Sequence, residues 1–166
     1  MIQPLFKNLL VMVNGTDASI NAAKYAIIMA KHYKCTVRAV YVVDVATIKM
    51  LSLNRIFIEE ESRDYERSLE QNGKRHLSYV EKIGEEKGVR VATELRRGAI
   101  WSEIVACAEE NAIDAILVGA SGSETGGAYG DRNESISLTF KSVLAHSRCS
   151  VLVVREPKIE QLFKLA

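Results

Sequence analysis

The run Leu9-Leu10-Val11-Met12-Val13-Asn14-Gly15-Thr16-Asp17 decides the fold. Its leading residues, Leu9 to Val13, are apolar without alternation, which describes a short strand buried on both faces, as in a parallel sheet covered by helices. Asn14, Gly15, Thr16 and Asp17 then end the strand in a turn, and Thr16 or Asp17 can cap a helix that starts at once. Ile20, Ala23, Ile27 and Ala30 recur at helical spacing on one side of it.

The same alternation continues along the chain. Thr36 to Val43 is rich in Val and closes on Asp44, giving a second buried strand. Asp44 to Leu53 has no clear period and reads as an irregular connection. Ile58, Ser62, Tyr65, Leu69, His76, Val80 and Ile83 fall roughly three or four apart among dense charge, so Asn54 to Lys87 is expected to be a long amphipathic helix with a break near Gly73, ended by Gly88. Val89 to Leu95 alternates as a strand. Gly98 introduces a helix from Ile100 to Asn111 with Ile104, Val105 and Ala108 on its apolar side, and Asp114 to Val118 is a buried strand ending at Gly119. Gly119 to Glu134 is a loop by composition, with five glycines beside Ser121, Ser123 and Thr125. Ile136, Phe140, Val143 and Leu144 restart the helical period, and Val151, Leu152, Val153 and Val154 form the last strand. Strands alternating with helices imply a five-stranded parallel sheet with right-handed crossovers and helices on both faces. Residues 1–156 form one domain on this reading, and 157–166 a charged tail.

The bulk numbers narrow the function classes. At 166 residues the chain suits one domain. Hydrophobic residues make up 48% and charged residues 26%, the balance of a globular protein. The formal net charge of +1 supplies no field for nucleic acid. No stretch has the apolar length of a membrane span or of a leader peptide, so a cytoplasmic protein is expected. Cys35, Cys107 and Cys149 are odd in number and widely spaced, as reduced core thiols are. His32, His76 and His146 share no ligand spacing and read as solvated helix residues.

In an open parallel sheet, ligands bind beyond the carboxyl ends of the strands, where the winding reverses. Two loops are suited to that place. Asn14 to Asp17 joins strand to helix, so its main-chain N–H groups and the helix N-terminus favour an anion. Gly119 to Gly122 offers glycines for close main-chain approach, with hydroxyls beside them. The plain alternative is that these are turn glycines. There is no Gly-Lys-Ser or Gly-Lys-Thr and no Gly-x-Gly-x-x-Gly after the first strand, which argues against the common NTPase and dehydrogenase sites.

Taken in order, the segments resemble the universal stress protein family. Val13-Asn14-Gly15-Thr16 with Ser19 is similar to its strand-end Val-Asp-Gly-Ser-x-x-Ser, and Val40 to Asp44 to its second strand. Gly98 followed by Ile104, Val105 and Ala108 resembles the start of its third helix, with Ile100 where proline is usual. Asp114 to Gly122 and Ser142 to Arg155 are similar to its most recognisable stretches, with Ser150 at a proline position. The resemblance implies a flavodoxin-like sheet of order 3-2-1-4-5, of the adenine nucleotide alpha hydrolase-like kind. It also implies a homodimer in which the last strand, Val151 to Val154, pairs across the two-fold.

The ligand implied is ATP or another adenine nucleotide, with or without Mg2+. Carried over residue by residue, the site is Asn14, Gly15, Thr16, Val42, Gly119, Ser121, Gly122 and Ser123, with Ser137 and Leu138 at the place of the family's Gly-Ser pair. Three features depart from the family's pattern: Asn14 stands for an acidic residue, Ser123 followed by Glu124 for a basic one, and the approach from Ser123 to Ile136 is longer. Either that loop holds a nucleotide in an altered way, with Gly126, Gly127 and Gly130 as a replacement nest and Arg132 or Lys141 supplying charge, or the crevice is vestigial. The functional readings are therefore a stress-response or regulatory module that binds an adenine nucleotide, a dimeric interaction protein without a nucleotide, and a slow ATP hydrolase with Asp17 or Glu124 as base.

Overall fold

The computed structural model describes residues 2–120 and 138–166. The first strand, β1 (Asn8–Met12), is followed by α1 (Asp17–Tyr33) and β2 (Thr36–Asp44). Next come α2 (Val45–Leu53), α3 (Glu59–Glu86), β3 (Val91–Gly98), α4 (Ile100–Glu110) and β4 (Ala115–Gly119). The chain closes with α5 (Leu138–His146), β5 (Ser150–Val154) and α6 (Ile159–Leu165). All four strand pairings are parallel, and the order is β3-β2-β1-β4-β5, as the sequence implies.

Side-chain alternation along the strands divides the core into two layers. Leu9, Val11, Val37, Ala39, Tyr41, Val43, Ala115 and Leu117 pack under α1 and α3, against Ala22, Ala26, Ile27, Leu77, Val80 and Ile83. Leu10, Val40, Val42, Ile116 and Val118 point the other way, against Ile104, Cys107 and Ala108 of α4 and Val143 of α5. The carboxylate of Asp114 ties the start of β1 to the start of β4, accepting from the backbone N–H groups of Lys7 at 2.7 Å and Asn8 at 2.8 Å.

Three segments differ from the sequence reading. Asp44 to Leu53 is not irregular: Asp44 caps α2, accepting from the N–H of Thr47 at 3.0 Å and from its hydroxyl at 2.6 Å. The helix escapes a periodicity search because Ile48 is its only buried residue among the nine. The long helix starts later than expected, where Glu61 accepts from the N–H of Ile58, and runs through Gly73 without a break. Finally, the segment after Pro157 forms α6, which buries Ile159 and Phe163, the latter in the first core layer. Two charges anchor it: Lys24 of α1 pairs with Glu160, and Lys31 donates to the carbonyl of Ala166. Among the described residues no helix is long and apolar enough to cross a membrane.

Candidate functional site

The winding reverses between β1 and β4. After β1 the chain crosses to α1 over one face of the sheet, and after β4 it reaches α5 over the other. That is the topological switch point, the place beyond the strand ends where open parallel sheets bind their ligands.

The turn from β1 into α1 is organised by its own short side chains. The Asn14 carboxamide oxygen accepts from the Thr16 N–H at 3.1 Å and from the Thr16 hydroxyl at 2.6 Å, an Asx turn. Thr16 caps α1, accepting from the Ser19 N–H at 3.2 Å. Ser19 is buried and closes the turn: its hydroxyl donates to the Thr16 carbonyl at 2.9 Å and accepts from the Asn14 N–H at 3.3 Å. Between them Gly15 takes a left-handed conformation, φ +83, that only glycine adopts cheaply. The N–H groups of Gly15, Asp17 and Ala18 have no acceptor among the described residues. They point to the kind of positive, donor-rich terminus that receives an anion. With its oxygen engaged by Thr16, Asn14 keeps its amide N–H groups as donors, which an acidic residue would lack.

Gly119 ends β4 directly beside this turn. A Cβ on it would run into the carbonyl of Ala18 in the first turn of α1. Its lack of a side chain serves helix-on-strand packing, a role the sequence reading did not give it. Ala120 then donates to the Val154 carbonyl at 3.1 Å, holding the strand ends of β4 and β5 together. Val42 is buried in the second core layer, near the end of β2. Leu138 opens α5. Ser121, Gly122, Ser123 and Ser137 lie outside the described residues, as do Glu124, Gly126, Gly127, Gly130 and Arg132. Lys141 is exposed on α5. Among the described residues no group of His, Cys, Asp or Glu is arranged to hold a metal ion.

The structure adds a residue that the sequence reading left in solvent. His76 of α3 is partly buried, its ring set against Gly15 and nearly parallel to the ring of Tyr41. The signal was present: His76 belongs to the same helical row as Leu69 and Val80. His146 and His32 are both exposed as expected, His146 with its ring stacked on Trp101 at 4.5 Å. The three thiols are free, with Cys35 and Cys107 buried and Cys149 half-buried.

The model of the universal stress protein family matches residues 5–155. A universal stress protein of Methanocaldococcus jannaschii is 33% identical over 156 residues, which span 94% of this chain and 86% of the relative. Among solved structures, the universal stress protein UspA from Lactobacillus plantarum superposes with a TM-score of 0.71 at 22% identity, covering 90% of this chain and 98% of its own. The universal stress protein from Archaeoglobus fulgidus in complex with dAMP gives a TM-score of 0.62 at 15% identity, covering 92% and 100%. A family protein from Arabidopsis thaliana with AMP bound gives 0.62 at 16%, covering 92% and 94%.

Proposed function

Because the chain belongs to the universal stress protein family, we propose that it binds an adenine nucleotide in the crevice at the strand ends and acts as a cytoplasmic regulatory module in a stress response, by binding and not by turnover. The observation that carries this reading is the donor set at the start of α1. Gly15, Asp17 and Ala18 hold N–H groups without an acceptor among the described residues, at the switch point of the sheet. Phosphate oxygens are the natural acceptors for such a set. Relatives of the same fold have been solved with AMP and dAMP. Asn14 would face the base as a donor, a change from the acidic residue of the family pattern that favours acceptors on the base edge.

Calorimetry with AMP, ADP and ATP, with and without Mg2+, tests the reading. Saturable heat together with a raised melting temperature is expected, and no heat at millimolar nucleotide rejects it. Phosphate release in the same ATP samples distinguishes binding from slow hydrolysis, with none above background expected.

A second reading, an interaction protein, is favoured by one observation. Met50, Leu53, Ile56 and Ile58 are all more than half exposed around α2 and the turn into α3, a cluster of apolar side chains of the sort that marks contact surfaces. On that reading, partner capture survives substitutions at Gly15 and is lost on charging Leu53.

A further inference from the structure

We propose that His76 is a positioning residue of the crevice. From α3 it holds the β1–α1 turn, through Gly15, in the arrangement that aims the unpaired N–H groups at the ligand. This rests on the nucleotide reading above.

α3 comes close to the sheet because Gly73 has no side chain. A Cβ there would stand 2.5 Å from Tyr41 Cδ1 and 3.0 Å from Leu95 Cδ1. Nearly one helical turn further on, the His76 ring lies at 16° to the ring of Tyr41 with centroids 6.4 Å apart. Its edge then meets Gly15. The position a Cβ would take on Gly15 is 2.7 Å from His76 Nε2, 3.1 Å from Cδ2 and 3.4 Å from Cε1. The imidazole thus fills the space of the side chain that Gly15 lacks.

Gly15 is therefore held by its neighbour and not by its own backbone. Its left-handed φ is open to glycine, and with that freedom come other conformations that would turn its N–H elsewhere. The ring lying against it blocks the movement those conformations need. No hydrogen bond or ion pair engages His76 among the described residues, so it acts on Gly15 by packing. A turn held in its binding conformation before the ligand arrives spares the ordering cost of binding.

The test uses the full chain and AMP as probe. His76→Ala should bind AMP about tenfold more weakly in calorimetry. In amide NMR spectra the Gly15 signal should broaden or split, while signals from β1 and β4 keep their positions. His76→Gln, which restores bulk beside Gly15, should recover part of the affinity and sharpen the signal. If the alanine variant is too unstable to titrate, His76→Gln against wild type carries the test, with weaker AMP binding expected and equal binding counting against the inference. A His76→Ala protein that binds AMP as tightly as wild type, or keeps one sharp Gly15 signal, overturns it. Wild-type protein that binds no AMP overturns the nucleotide reading, and this inference falls with it.

Discussion

The Ala18 carbonyl in the first turn of α1 occupies the space that a side chain on Gly119 would need, so the end of β4 and the start of α1 are in backbone contact. A Cβ there meets main chain that cannot rotate away, unlike the far end of a flexible side chain. Gly119→Ala should push α1 off β4 and destabilise the protein by about 1–3 kcal/mol, the usual range for overpacking. Urea denaturation gives the measurement, and an unchanged midpoint would show that the helix yields freely at this point. Because the same displacement moves Asp17 and Ala18, lost nucleotide binding in this variant reports on the scaffold and not on a ligand contact at Gly119.

At the opposite end of α1, the last helix closes the core. Phe163 is buried, and Lys24 and Lys87 place their ammonium groups 5.7 Å and 4.9 Å from its ring centroid. Phe163→Ala should cost about 3 kcal/mol, the lower end for a buried phenylalanine because this one sits at the margin of the layer. Glu160→Gln leaves the buried Lys24 ammonium without its anion, but Glu160 itself is largely exposed. The expected cost there is only about 1 kcal/mol. Chemical denaturation of both variants gives the comparison, and a larger loss for Glu160→Gln than for Phe163→Ala would refute this ranking.

What the sequence disclosed follows from how each segment is buried. Leu9 to Val13 and Asp114 to Val118 are covered on both faces, so composition alone marks them as strands and places the switch point between them. α2 shows a single residue to the core and leaves no period to find. The break expected at Gly73 came from treating glycine as a helix interruption, whereas here it admits the ring of Tyr41. α6 is short, and its two buried residues, Ile159 and Phe163, lie among charges that resemble a tail. At the site, the Asn14 to Thr16 turn was legible from its residue types. The role of His76 was not, because a contact between α3 and Gly15 exists only once the sheet has formed.

The Cys107 thiol gives a pH dependence of known sign. Burial, followed by the nearby Glu94 carboxylate, raises it from 9.0 to about 11. Between those values the folded state keeps a proton that the unfolded chain has released, so stability falls as pH rises through the window from about 9 to about 11. Burial raises the Cys35 and Cys149 thiols in the same direction. Denaturation midpoints on either side of this window should drop for wild type and drop less for Cys107→Ala. An equal drop in both would place the dependence elsewhere.

Among the described residues β5 is bonded on one side only, to β4, and this edge strand carries Val151, Leu152 and Val153 half-buried. An apolar edge of this kind is a template for another strand, and a second copy meeting it about a two-fold would satisfy both edges at once. We therefore expect wild-type protein to sediment as a dimer at micromolar concentration. Val153→Lys places a charge in the middle of that edge, where a paired copy would bury it without a partner, while in the monomer the long side chain can reach water. The variant should sediment as a monomer with an unchanged far-ultraviolet circular dichroism spectrum. A wild-type monomer, or a Val153→Lys dimer of equal strength, would exclude β5 as the association surface.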